Sequence, residues 1–373
     1  MKPEKAISLN VKRIRASRGM TQTATAKAAG ISRQAYIDIE KGTTKEPRVG
    51  NLQAIAGAFD VQIMDLLAEP PKLSTVRFRN NSMKTKKDNA KREQCLVEAA
   101  CWLKNFNFLQ SVVGEKKEYI LKSVLAKAGD SKTTRPIVAA ESAREVFGLK
   151  EDEPIGDIVG LIESAGTKIK LAQLDIKKFF GFSASESDGG PAIIVNTDKE
   201  INIERQIFTI AHELGHLILH PQAYDPSQTQ ESDCEESEAN VFAGYFLMPK
   251  NTFEKKLSES YGLGFVERVL HIKRFFRVSY LTILHRMAEM KIAEYGALIK
   301  QFNILYKKYG ESLANHKEPC GLDTPDVVED YLSTLVRKAL EKNEITVSRA
   351  AEILNVPLMD MREIINSWAD IAA

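Results

Sequence analysis

Apolar positions recur at helical spacing along most of the chain, with short strand-like runs only in its middle. From Ser8 to Leu67 the pattern predicts five short helices. Leu9, Val11 and Ile14 form a first apolar stripe. Thr21 is placed to cap the Ala-rich stretch TQTATAKAAG, which Gly30 stops. Ser32 caps the next stretch, SRQAYIDIEKG, which ends at Gly42; Leu52, Ile55, Ala56 and Phe59 make a later apolar face. Pro70 and Pro71 close this region. Residues 77–93 (RFRNNSMKTKKDNAKRE) are poor in apolar side chains and read as a mobile linker. Residues 94–128 follow with one or two amphipathic helices carrying Leu96, Trp102, Phe106, Leu109, Tyr119, Leu121 and Leu125.

The middle of the chain changes character. Residues 154–171 read as a helix and then a strand, and 189–197 (GGPAIIVNT) as a second strand, antiparallel and near the helix that follows. That helix, within 201–219 (INIERQIFTIAHELGHLIL), has Ile203, Ile207, Ile210, Ala211, Leu214 and Leu217 at helical spacing. An acidic run then leads into a pattern of Ala239, Phe242, Ala243 and Phe246 that begins at Glu238. Residues 262–292 predict two helices joined near Val278 and Ser279. The tail, 326–367, repeats a helix-turn-helix-like arrangement: Ser348 as a cap, Asn355 in place of the turn glycine, and Pro357 opening the next helix.

Charge adds an asymmetry that the net value of +2 conceals. Residues 1–93 hold 19 Lys and Arg against 9 Asp and Glu, which leaves −8 on the rest of the 373-residue chain. A basic front end suits a polyanion such as nucleic acid, and the run at 77–93 can add phosphate contacts. The acidic Asp360, Glu363 and Asp370 argue that the tail packs or binds a partner instead. Four cysteines without a Cys-x-x-Cys pair read as free thiols in a reducing compartment. No stretch has the length and apolarity of a signal or membrane segment, so a cytoplasmic protein with no membrane partner is expected.

The densest chemistry lies in His-Glu-x-x-His at 212–216. On a helix, His212 and His216 face the same way and can offer ring nitrogens to one Zn²⁺, while Glu213 can reach a metal-bound water as general base. Gly215 is a poor helix former, which is easier to explain if another segment approaches closely there. A zinc site needs a third protein ligand. Leu219 and Gln222 stand where a metzincin would have glycine and histidine, so that class is excluded. His220 lies a full turn past the site and reads as a capping or supporting histidine. Glu238, 22 residues after His216, is the better candidate, with Glu235 and Glu236 as competitors.

Two resemblances follow from these residues. The pattern "TQTATAKAAGISRQAYIDIEKG" resembles the Xre/Cro-type repressor domain over residues 8–68. The resemblance implies double-stranded operator DNA as partner, a homodimer on a symmetric site, and contacts from Gln22, Ser32, Arg33, Gln34 and Tyr36. Gln34 has the groups to pair with adenine, and Arg33 with guanine or phosphate. "RQIFTIAHELGHLILH" with "EESEANVFAGYFLMP" is similar to the ImmA/IrrE family of metallopeptidases over residues 137–290. That resemblance implies His212, His216 and Glu238 as zinc ligands and Glu213 as catalytic base. Tyr280 and His285 have groups that can serve as an electrophile to the oxyanion, but nothing in the spacing places them near zinc, so core or supporting roles are expected. A strand such as 189–197 at a sheet edge is suited to bind an extended substrate backbone.

The expected fold is mainly α with a small β-sheet (α+β): a helical head, a zincin-like domain and a helical C-terminal bundle. The expected domains are 1–70 (helix-turn-helix), 71–136 (basic linker and connecting helices), 137–295 (zinc metallopeptidase) and 296–373 (C-terminal helices). The expected function is a DNA-binding regulator whose zinc endopeptidase cleaves a specific repressor or antitoxin-like protein. The family resemblance implies stress response, mobile-element control or phage defence. The alternative is a repressor or antitoxin whose peptidase-like domain senses or binds without cutting.

Overall fold

The computed structural model describes residues 2–71, 73, 76–78, 86–129, 131, 133–176, 178–224, 233–308, 318–323, 327–328 and 330–370. The chain is mainly helical with one small sheet. The head has α1 (Pro3–Ser17), α2 (Gln22–Ala28), α3 (Arg33–Glu40), α4 (Val49–Phe59) and α5 (Ile63–Leu67). Then come β1 (Val76–Phe78), α6 (Lys86–Val113), α7 (Lys122–Lys127), α8 (Arg135–Val146) and α9 (Ile158–Ser164). The sheet is completed by β2 (Lys168–Ala172), β3 (Gly181–Ala184) and β4 (Ala192–Asn196). After it lie α10 (Ile203–Leu219), α11 (Asp233–Leu247), α12 (Lys250–Glu259), α13 (Phe265–Phe276) and α14 (Tyr280–Glu289). The last elements are α15 (Tyr295–Lys308), α16 (Tyr331–Glu341), α17 (Val347–Leu354) and α18 (Leu358–Asp370).

These elements form two compact units. The first comprises Met1–Leu73, Lys86–Lys116 and Asp330–Ala373, and the second comprises Ser74–Thr85 and Lys117–Glu329. The expected division therefore shifts in two places. The segment 296–373 is not one region. Leu298, Phe302 and Tyr306 on α15 recur at helical spacing and are buried in the core of the second unit, where Phe302 stacks on Tyr280 at 4.7 Å. The helices α16 to α18 belong to the first unit, where α16 packs against α6. The basic run at 77–93 is likewise not all linker. Its first residues pair in the sheet as β1, and α6 already starts at Lys86 because KKDNAKREQ holds good helix formers and no glycine or proline.

In the first unit, Ile7, Val11 and Ile14 form the buried stripe of α1, packed with Tyr36, Ile39, Ile55 and Phe59. Thr21 and Ser32 cap α2 and α3 by accepting from the amides of Ala24 and Ala35, each at 3.1 Å. Gly30 and Gly42 end those helices with φ of +64° and +68°, a backbone region that glycine adopts freely. Glu40 anchors the fold from within: Arg15 donates to both of its oxygens at 2.8 and 2.9 Å. In the tail, Thr346 and not Ser348 caps α17, accepting from Arg349 N at 3.2 Å. Asn355 takes the left-handed conformation at φ 56°, as its place at a glycine-type turn requires. Lys338 pairs with Glu115 at 2.6 Å, and Arg349 donates to Asn105 at 2.8 Å, fixing these helices along α6.

In the second unit the sheet order is β1-β3-β4-β2. β4 is parallel to β2, with Lys168 opposite Ala192, and antiparallel to β3, with Gly181 opposite Val195. The run AIIVN is therefore a central strand buried along its length, not an edge. β3 (GFSA) is too short to announce itself by alternation, and the sequence pattern does not reveal it. α10 lies against β3 and β4, and Ile207, Ile210, Ala211 and Leu214 join Ile193 and Val195 in one core. Gly181 permits this contact: a Cβ there would stand 2.8 Å from Thr209 Cγ2 of α10. Gly215 does the same on the other side, where a Cβ would meet the Phe242 ring of α11 at 2.9 Å.

Candidate metal centre and helix-turn-helix surface

Asn202 caps α10 by accepting from Arg205 N at 2.8 Å, and the helix then runs through the core with His212, Glu213 and His216 all buried. One turn apart, the two histidines turn Nε2 toward each other at 3.0 Å. The third group at this point is Glu236 of α11. Its Oε1 lies 3.2 Å from His216 Nε2 and its Oε2 lies 3.4 Å from His212 Nε2. Burial would raise the Glu236 carboxyl, but the two imidazoles facing it outweigh burial and hold it well below the usual carboxylate range.

Glu238 is placed elsewhere. Its Oε2 receives His220 Nε2 at 2.8 Å and lies 3.8 Å from Arg135 Nη1. The expectation that Glu238 faces the histidine pair is thus corrected to Glu236. Both glutamates sit on α11, but two residues are about 200° apart around a helix, so only one can face the pair. The Ala239, Phe242, Ala243 and Phe246 stripe does pack inward, and Glu238 follows it onto the last turn of α10, where it meets His220.

His220 links the two parts. Its Nδ1 lies 3.0 Å from His216 Nδ1. With His216 Nε2 turned to the centre, its Nδ1–H donates to His220 Nδ1, and His220 Nε2–H donates to Glu238. This chain of bonds fixes the tautomer and ring plane of His216, the arrangement common around metal-bound imidazoles. Arg135, which also donates to the Leu219 carbonyl, completes it and carries no sequence signal that would have singled it out.

Glu213 is held on its other side. Ser183 of β3 donates to Glu213 Oε2 at 2.5 Å, and the Tyr224 hydroxyl lies 2.7 Å from Ser183 Oγ. Because Ser183 has one proton to give, Tyr224 donates in turn to Ser183. Ser183 and Tyr224 were missed because each is a common residue in an ordinary setting; only the fold brings β3 under α10.

Three donors fit a metal ion by their chemistry and spacing. The two imidazole nitrogens lie 3.0 Å apart, and each faces one oxygen of the Glu236 carboxylate, His216 at 3.2 Å from Oε1 and His212 at 3.4 Å from Oε2. Zinc bonds of roughly 2.0–2.2 Å in tetrahedral geometry require ligand separations of about 3.3 Å. His212, His216 and Glu236 are also the group of metal-ligating side chains that stands out among the described residues. His212 and Glu213 line a small pocket with Phe180, Arg205 and Phe208, and those last three also line a separate cavity of about 760 Å³ between α10, α11 and α14, together with Asn240, Tyr280 and His285. Arg205 stacks over the Phe180 ring at 4.0 Å. Tyr280 and His285 therefore face this cavity, and His285 is exposed at its rim instead of in the core.

Two family matches coincide with these parts. Residues 163–288 match the IrrE N-terminal-like domain of a peptidase family, and residues 11–66 match a helix-turn-helix family. Residues 11–66 thus form an Xre-type helix-turn-helix domain, joined in one chain to an ImmA/IrrE-like peptidase domain at 163–288. An immunity repressor protein of Bacillus phage phi105 is 34% identical over 86 residues, which are 23% of this chain and 58% of that repressor. The chain thus spans somewhat over half the length of the relative it matches. In the Xre-type head, α3 presents Ser32, Arg33 and Gln34 to solvent. Gln34 donates to Asp38 at 2.9 Å along the same helix face. Gln22 is half-buried and donates to Glu40 at 3.0 Å. Tyr36 corrects the expected surface: it is wholly buried beneath α3, where burial and the nearby Glu40 push its phenol well above the ordinary range. A side chain in the core cannot reach a base edge. No helix among the described residues is long and apolar enough to cross a membrane.

Proposed function

We propose that this chain is a DNA-bound regulator whose zinc-dependent endopeptidase domain cuts a specific protein partner, such as a repressor or antitoxin. The observation that carries this reading is the triangle of His212, His216 and Glu236 beside a buried, hydrogen-bonded Glu213. Zinc held by those three residues supplies Lewis-acid chemistry to the scissile carbonyl and to the attacking water. Glu213 takes the proton of the attacking water and returns it to the departing amine. Ser183 and Tyr224 keep that carboxylate aimed, and Glu238 acts through His220 to hold His216 in the tautomer a metal needs. The cavity lined by Phe180, Phe208 and Tyr280 takes substrate side chains next to the cut. The head directs this chemistry to DNA through Ser32, Arg33 and Gln34, which stand at the solvent-facing start of α3. The head family's pairing on symmetric operators and the phage repressor likeness support a regulatory setting and a homodimer on DNA.

The test is co-expression of the wild type and Glu213→Gln with the proteins encoded beside it, read by fragment formation and reporter repression. Glu213→Gln is expected to keep zinc and DNA binding and to slow cleavage by about 10²- to 10⁴-fold. Persistent repression with no fragment from the wild type under any inducing stress would sink the peptidase reading.

A further inference from the structure

The strand that closes the sheet beside the metal centre does not come from the peptidase segment. β1, Val76–Phe78, precedes α6 in the chain, yet it pairs antiparallel with β3 in the second unit. Its register puts Val76 opposite Ala184, Arg77 opposite Ser183 and Phe78 opposite Phe182. Ser183 is the residue that donates to Glu213 at 2.5 Å. The main chain of Arg77 therefore runs one strand spacing, about 4.8 Å, from the position that holds the catalytic carboxylate.

On its other side β3 is paired to β4, so without β1 it would present a row of unpaired amides and carbonyls next to the metal donors. Such an edge recruits an extended peptide by main-chain pairing. We infer that the β3 edge is where a substrate main chain pairs, and that Val76–Phe78 of the same chain is its resident competitor. The inference rests on the peptidase reading of the site.

Three features favour this occupant. Val-Arg-Phe is a short alternating run of strand-forming residues inside an otherwise polar, basic stretch, so it is shaped to pair where its neighbours are not. It pairs over only three residues, which makes it a weak partner that a longer strand can displace. Its direction also suits a substrate. An antiparallel chain passing Phe182 proceeds toward Phe180, which lines the cavity of about 760 Å³. A substrate in the same alignment delivers its next side chains to that cavity.

Tethering makes even a weak competitor effective, because its local concentration is in the millimolar range. The experiment uses full-length, zinc-loaded Glu213→Gln protein, so that cleavage plays no part. The probe is a fluorescein-labelled peptide of residues 70–84, followed by anisotropy. Adjacent strand residues alternate the direction of their N–H groups, so Val76→Pro with Arg77→Pro removes a donor facing β3 in either phase. The doubly substituted protein is expected to bind the probe about tenfold more tightly than its parent. A peptide carrying the same two prolines is expected not to compete. Equal affinity in both proteins, or competition by the proline peptide, overturns the inference.

A second measurement needs no strand variant. Saturating unlabelled peptide added to isotopically labelled parent protein is expected to speed amide exchange at Val76–Phe78 while Gly181–Ala184 stays protected. Unchanged exchange at Val76–Phe78 overturns the inference as well. Neither readout depends on turnover, so a failure here is distinct from a failure to cut protein substrates.

Discussion

Glu236 and Glu238 stand two residues apart, and their different tasks show how finely a helix sorts chemistry. One faces the imidazole pair, and the other meets His220 behind it. Ser183 plays a comparable part for Glu213, since its hydroxyl sets the direction of that carboxylate. Ser183→Ala is expected to lower kcat by roughly 10- to 100-fold with little change in KM, as loss of a supporting contact does. Steady-state kinetics on a cleaved protein substrate reads this directly; an unchanged kcat would show that Glu213 needs no such support. Much at this scale was legible in advance. His212, Glu213 and His216 announce themselves by spacing, because a helix converts a four-residue interval into a shared face. Choosing among Glu235, Glu236 and Glu238 needed the start and rotation of α11, and Tyr36 needed the packing of the head, neither of which periodicity resolves.

At the level of elements, close approach decides what each helix tolerates. Gly215 lets the Phe242 ring lie on α10, so Gly215→Ala sets a gain in helix propensity of about 1 kcal/mol against overpacking of about 1–3 kcal/mol. The net expectation is destabilisation of the peptidase unit, measured by chemical denaturation; a stabilised variant would show that Phe242 moves aside freely. In the head, burial works against the Glu40 carboxylate, but hydrogen bonds from Arg15 and Gln22 outweigh it and lower its pKa. A carboxyl with a lowered folded-state pKa gives stability that is present above its unfolded value, about 4.3, and is lost as pH falls through the folded value. Glu40→Gln is therefore expected to weaken the head at neutral pH and to flatten its acid sensitivity below about pH 4. Amide exchange in α3 across that range checks it. The glycine at 215 was readable as a point of close approach before the fold was known. β3 was not readable, because four residues containing a glycine carry no alternation, and β1 looked like linker because its surroundings are polar.

Across the whole molecule, a basic head with an exposed α3 start is joined in one chain to a peptidase unit built around α10. The helical character of both, and the family of each, followed from caps, stripes and motifs. The assignment of the chain to units did not, because α15 and the helices α16 to α18 are alike in pattern and differ only in which core receives their stripe. The central claim is that one metal ion is held by His212, His216 and Glu236. Zinc titration of the full-length protein against a chromophoric chelator tests it most directly, comparing wild type, His216→Ala, Glu236→Gln and Glu238→Gln. One zinc per wild-type chain is expected, with tight binding lost in His216→Ala and Glu236→Gln. In Glu238→Gln, affinity is expected to fall by only about 10- to 100-fold, as for a residue that acts through a ligand. Loss of zinc from Glu238→Gln with wild-type affinity in Glu236→Gln would contradict the account.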